Sequence, residues 1–261
     1  MRLSPAELLL QELGVTDPTE IDLEAIAYHV NAHVRYRPLD GCEARIVGTA
    51  DRAIITVNSN SQWRRKRFSI AHELGHWHHH RGRCLACRVE EYRPRSAVSP
   101  ERTADGYAAD LLMPNYLFRP LANAQKKLNF ASIKALADAF NASQTATAIR
   151  LVEADFAPAM LVCHGPQGRK WFVRSRSVPD RWFPQDNLDA ESYAFGIQFG
   201  ADPDGPILRK IGADAWFDRV GADRFEIQEQ TIRTGPGETL TLLVFCDERM
   251  LEDQDMRWYG R

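Results

Sequence analysis

The chain has 261 residues, 44% of them hydrophobic and 26% charged, with 33 Lys and Arg against 35 Asp and Glu. That balance is ordinary for a soluble globular protein of two domains, and no apolar run approaches the roughly 18 residues of a membrane span, which excludes a membrane protein. The N-terminus, Met1-Arg2-Leu3-Ser4-Pro5-Ala6-Glu7, is a capped helix start rather than a signal peptide, so the expected location is the cytoplasm.

In chain order, residues 4–13 are expected to form a first helix, with Ser4 capping, Pro5 at the first helical position and Glu7 closing a capping box. A second helix follows at 22–31. Short strands are expected at 33–37, 43–48 and 53–58, where β-branched residues such as Ile54, Ile55, Thr56 and Val57 dominate. The 53–58 strand is the candidate sheet edge to which a substrate would add as a further strand.

Next comes a helix at about 61–80, capped by Ser61, that carries Arg67-Phe-Ser-Ile-Ala-His72-Glu73-Leu-Gly-His76. Residues four apart on a helix lie about 5–6 Å apart at Cβ, so His72 and His76 can aim two ring nitrogens at one ion, at the ~2.0–2.1 Å that zinc requires. Glu73, beside the first imidazole, is placed to take a proton from water as it attacks a carbonyl. The competing reading is an amphipathic core helix with two satisfied histidines. A catalytic zinc needs a third protein ligand, and the third histidine of an all-histidine site is missing, because Gly82 stands where it would fall.

The third ligand is sought in Ser99-Pro-Glu101-Arg-Thr-Ala-Asp105-Gly-Tyr-Ala-Ala-Asp-Leu-Leu-Met-Pro114, a helix of about fourteen residues with a capping serine and a proline at each end. Glu101 and Asp105 lie one turn apart. Glu101 can complete the ligand set, while Asp105 accepts the free N–H of a liganding histidine and fixes its tautomer. The same Glu-x-x-x-Asp spacing follows the metal helix in thermolysin-like enzymes. Alternatively, both acids simply favour the positive end of the helix dipole.

On these two blocks, Arg-Phe-Ser-Ile-Ala-His-Glu-Leu-Gly-His at 67–76 and Glu-x-x-Ala-Asp-x-Tyr-Ala-x-x-Leu-Leu-Met-Pro at 101–114, the chain resembles the ImmA/IrrE family of metallopeptidases. Asp105 and Tyr107 stand where that family commonly carries Asn and Phe. The resemblance implies that His72, His76 and Glu101 bind zinc and that Glu73 is the catalytic base. It further implies a soluble endopeptidase that cuts a helix-turn-helix repressor and so releases stress, DNA-damage or mobile-element genes. It covers the first 120 residues well and those to about 155 fairly. Longer members of the family carry a C-terminal sensor-like domain. A two-His-one-Glu site also accepts manganese, and neither Tyr107 nor Arg67 is singled out as a stabiliser of the oxyanion.

Five cysteines, at 42, 84, 87, 163 and 246, suit reduced thiols rather than a disulfide framework. Cys84 and Cys87 alone have a chemical spacing, for a second zinc with a nearby histidine or for a redox pair, against two incidental thiols in a loop. Charge is uneven: residues 63–95 hold nine Arg or Lys against three Glu, whereas 201–261 hold eight basic against thirteen acidic residues. A basic rim near the metal would guide an acidic substrate segment or touch nucleic acid, unless it is only a solvated face.

Residues 131–140 and 144–152 read as helix, tight turn, helix, with Asn141 in the left-handed turn and Ser143 capping the second helix. Gln144 and Arg150 are the main side chains there for reading DNA, and packing against the peptidase helices is the other role open to the element. From Pro158 the pattern turns to β: strands at 159–163 and 170–174 flank a Gly165-Pro-Gln-Gly168 turn, and 239–245 alternates as a further strand. Trp171, Phe172, Trp182, Phe183, Trp216 and Phe217 either line a pocket or fill a core.

The expected fold is therefore α+β: a zincin-like peptidase domain at 1–120, a helix-turn-helix-like segment at 121–157, and a C-terminal α+β domain at 158–261, sensor-like and of the GAF type. The expected activity is zinc-dependent cleavage of a repressor. The alternative is a DNA-binding or metal-sensing transcriptional regulator with a structural zinc.

Overall fold

The computed structural model describes residues 3–81 and 99–252; Cys84, Cys87 and much of the basic segment lie outside them. The chain is α+β and divides into two compact units, one made of Met1–Ala124 with Ala135–Thr147 and the other of Gln125–Lys134 with Ala148–Arg261. Among the described residues, no helix is long and apolar enough to cross a membrane.

In the first unit, helix α1 (Pro5–Glu12) starts with the expected capping box between Ser4 and Glu7. Glu7 then reaches further, accepting the backbone N–H of Asn115 at 2.6 Å. That bond ties α1 to a helix at Asn115–Asn123 that hydropathy reading misses, because Pro120 lies inside it. Helix α2 (Leu23–His29) is capped by Asp22 and leads into a three-stranded sheet of β1 (Ala32–Arg37), β2 (Ala44–Gly48) and β3 (Ala53–Asn58).

The sheet order is β1-β3-β2, with β1 parallel and β2 antiparallel to β3. The strand at 53–58 is therefore central rather than an edge. Its continuous Ile54-Ile55-Thr56-Val57 run is the reason, since Ile55, Thr56 and Val57 are all buried and both backbone edges are taken by neighbours. Among the described residues, the edges of this sheet belong to β1 and β2.

Helix α3 (Trp63–His80) follows, then α4 (Pro100–Leu112) and α5 (Asn115–Asn123). The cap of α3 also differs from expectation. Gln62 holds the N-cap position and makes no side-chain cap bond, while the Ser61 hydroxyl donates to the carboxylate of Glu43 instead. Helices α6 (Phe130–Ala139) and α7 (Gln144–Glu153) are joined through Asn141 at φ 51°, and Ser143 Oγ accepts the N–H of Ala146 at 3.1 Å, as the sequence suggests.

The second unit is built on a five-stranded antiparallel sheet in the order β5-β4-β8-β7-β6, from β4 (Ala159–Gly165), β5 (Gly168–Arg174), β6 (Arg209–Gly212), β7 (Glu226–Gly235) and β8 (Glu238–Phe245). Every residue of β4 is buried, which explains its unbroken apolar run. One face carries a core of Met160, Val162, Leu243 and Phe245 with Trp182, Trp216 and Phe217, so these three aromatics fill the interior. Helix α8 (Tyr193–Phe199) packs on β7 and β8.

Candidate metal centre

The centre is built where α3 and α4 touch. Gly75 makes that contact close: a Cβ there would meet the Cα of Ala104 at 2.8 Å and its carbonyl oxygen at 2.9 Å. Ala104 is fully buried, and this pair of small residues brings the first turn of α4 against the histidines of α3. Helix α3 is held from its other side by Arg67, whose guanidinium donates to the carbonyl of Ile21 at 3.2 Å, and by Trp77, whose indole N–H donates to Val30 at 2.8 Å. Ser99 caps α4 by accepting the N–H of Arg102 at 3.2 Å, which places Glu101 in the first turn, at the positive end of the helix dipole.

Three ligand-type atoms converge. His72 Nε2 lies 3.1 Å from His76 Nε2, and Glu101 Oε2 lies 3.2 Å from the first and 3.3 Å from the second. Three ligands at about 2.0–2.1 Å around a tetrahedral ion sit roughly 3.3–3.4 Å apart, so the triangle has the size that a zinc-like ion demands. Among the described residues this is the one cluster of its kind.

Asp105 Oδ1 is 2.9 Å from His72 Nδ1, which fixes the tautomer: the proton sits on Nδ1 and leaves a lone pair on Nε2, facing the triangle. Glu73 is 1% exposed on the same helix. Thus His72, His76, Glu101, Asp105 and Glu73 all fall within two adjoining helical turns.

The electrostatics follow from this crowding. Burial alone would lower the His72 pKa, but the Asp105 hydrogen bond and the charges of Asp105, Glu73 and Glu101 outweigh it and raise the value. His76 goes the other way, lowered by burial and by the neighbouring His72, with Glu101 opposing.

The buried Tyr107 phenol is pushed up to about 12 by burial, and its ring stacks on His78 at 5.1 Å between centroids. With Arg67 bonded to Ile21, both of these side chains have structural engagements of their own.

This geometry meets an independent comparison. Residues 27–152 match the family model of the Peptidase_M78 type, described as the IrrE N-terminal-like domain. That stretch is an IrrE N-terminal-like domain. The match begins in α2 and ends in α7, so the IrrE-like domain contains the whole sheet of the first unit and both helices of the metal centre. The match supports a metallopeptidase-type assignment for residues 27–152. Among solved structures, a Mycobacterium tuberculosis transcriptional regulator is similar at a TM-score of 0.57 and 15% identity, over 94% of this chain and 75% of that one, which is a likeness of fold. None of the curated proteins matches the chain.

The small pair Gly75 and Ala104, which sets the helix separation, was only half legible in the sequence. Gly75 stands out within the motif, but nothing local identifies Ala104 as the residue it meets.

Proposed function

We propose that the IrrE-like domain is a zinc endopeptidase that cleaves a helix-turn-helix repressor in the cytoplasm, and that the second unit is a sensor domain of the GAF type. The observation that carries the peptidase reading is the convergence of His72 Nε2, His76 Nε2 and Glu101 Oε2 beside a buried Glu73. A divalent ion held by those three residues would supply a Lewis acid that acidifies water and polarises a peptide carbonyl.

The protein's own residues do the rest. Asp105 holds the proton of His72 on Nδ1 and so orients the ring. Glu73 takes the proton of the attacking water and passes it to the departing amine, a role that suits a carboxylate shielded from solvent. Among the described residues β1 and β2 are the edge strands, to which an extended substrate segment would add, and β2 carries Val47 at 61% exposure as an apolar contact.

The test is incubation of the zinc-loaded or manganese-loaded full-length protein with the helix-turn-helix repressor encoded nearest to it, beside Glu73→Gln, with products read by mass spectrometry. One discrete fragment with the parent protein and none with the variant is the expected result. If metal is bound stoichiometrically and the repressor stays intact, the reading fails. Salt-dependent promoter binding would then favour the regulator alternative.

A further inference from the structure

The second unit holds a cavity of about 190 Å³, far along the chain from the metal ligands. His164, at the end of β4, forms part of its wall, with Gly168 and Asn187 nearby, and Phe195 and Phe199 of α8 line it too. The two phenylalanine rings stand 5.2 Å apart and are 36% and 57% exposed, an unusual position for large apolar side chains spaced one turn apart on a short helix.

His164 is the informative residue. It is only 1% exposed, and among the described residues neither of its ring nitrogens makes a hydrogen bond of acceptable geometry, although the backbone of Gln185 lies close enough to favour its protonated form slightly. Its register partner on β8, Thr239, is equally buried and its hydroxyl is likewise unpartnered. Elsewhere along this face the polar groups pair off: Thr231 bonds Thr241 at 2.8 Å and Glu229 at 3.1 Å, and Glu229 accepts the Trp216 indole N–H at 2.9 Å. The row of pairs stops at His164, whose ring meets Trp216 edge-on. Buried polar groups in folded proteins nearly always have partners, so His164, at the wall of the cavity with unpartnered Thr239 beside it in the sheet, calls for a guest.

The chemistry of that guest can be narrowed. Burial, and then the charge of Arg169, push the His164 pKa down to about 4, so the ring is neutral near pH 7 and offers one donor and one acceptor. Arg169 itself is paired with Asp186 and lies over the rings of Phe172 and Phe183, so its charge is already matched. Gly168, at φ 111°, has the carbonyl oxygen of Asp186 2.9 Å from where a Cβ would stand, which leaves this part of the wall as bare backbone. An engineered apolar cavity of about 150 Å³ accepts benzene, so the volume here suits one ring or a fused pair.

We propose that this cavity binds an uncharged, flat small molecule of one or two fused rings that carries a hydrogen-bond donor and an acceptor on one edge, pairing with His164 and lying against Phe195 and Phe199. The site is independent of the peptidase reading, and its test needs no cleavage.

Calorimetric titration of 2-quinolinone into the full-length protein at pH 7 should show one saturable site with Kd on the order of 0.1 mM. Benzoate, flat but charged, should bind at least tenfold more weakly. His164→Phe keeps a buried ring and removes both hydrogen-bonding nitrogens, and should weaken 2-quinolinone at least tenfold. Phe199→Ser, at an exposed position that leaves the core intact, should weaken it severalfold, and Glu73→Gln should bind it like the parent. No saturable heat with 2-quinolinone, benzoate binding as tightly, or both cavity variants binding like the parent would each overturn the proposal.

Discussion

Two carboxylates, Glu101 in the first unit and Glu229 in the second, meet opposite surroundings. Glu101 Oε2 faces two imidazole nitrogens at 3.2 and 3.3 Å, in a set rich in lone pairs that only protons or a cation can complete. Glu229 is 1% exposed and accepts from four donors: the backbone N–H groups of Ala194 at 2.7 Å and Tyr193 at 3.3 Å, the Trp216 indole at 2.9 Å and the Thr231 hydroxyl at 3.1 Å. Burial raises the Glu229 pKa while those bonds oppose the rise. Its carboxylate is a structural brace for the start of α8; that of Glu101 is one of three convergent ligand-type groups. Burial differs too, with the Glu101 side chain 37% exposed, but it is the kind of atom facing each carboxylate that gives it its role.

The sharpest way to break this contrast is Glu73→Gln, which should keep the metal, measured by elemental analysis, and lose about 10²–10⁴-fold in cleavage rate. Retained cleavage would remove Glu73 from the mechanism. Next, Gly75→Ala should force α3 and α4 apart, destabilising the first unit by about 1–3 kcal/mol and loosening the metal, as read by melting temperature and by competition with a chelator. An unchanged melting temperature would show that the helix contact tolerates a methyl group.

Asp105→Asn should weaken metal affinity by about 10–100-fold at pH 7 through loss of the charged partner of His72. The same change sharpens the pH argument. A raised His72 pKa means that protons compete with metal, so affinity in the parent should fall as pH drops through the titration of His72. Asn at 105 removes the hydrogen-bonding and charge contributions that raise it, and should move that fall to lower pH in a chelator titration.

The remaining prediction concerns the second unit. His164 titrates at about 4 when folded against about 6.5 when unfolded, so the unfolded chain takes up the proton first as pH falls. Above about pH 6.5 both states are neutral and stability is unaffected; between pH 7 and pH 5 the parent should lose about 2 kcal/mol that His164→Phe does not lose. Equal pH slopes for the two proteins in denaturant unfolding would place the titrating group elsewhere.

Much of the first unit was legible because its signals are local. The capping box at Ser4 and Glu7, the proline at 100, the serine at 99 and the left-handed Asn141 act within a few residues, and each appears where its sequence puts it. The four-residue spacing of His72 and His76 needs only a helix to become a pair of convergent nitrogens. The misreadings share a cause. Whether β3 is an edge or a centre depends on which strands lie beside it, and its apolar run fits either position until β1 and β2 are placed. Ser61 looks like a cap, yet Glu43, eighteen residues earlier, takes its hydroxyl. In the second unit, β7 escapes notice because Glu229, Gln230 and Thr231 make it look polar, while all three are buried and Glu229 and Gln230 meet partners distant in sequence.

By itself, then, the sequence determined which residue types could do chemistry and how they are spaced along each helix, since helical geometry is a local property. Only the tertiary structure decided that Glu101 meets the two histidines across 25 residues or more, that Gly75 and Ala104 bring their helices into contact, and that His164 rather than the tryptophans stands at a cavity wall. Those outcomes depend on packing between segments far apart in the chain, and no short window of sequence carries that information.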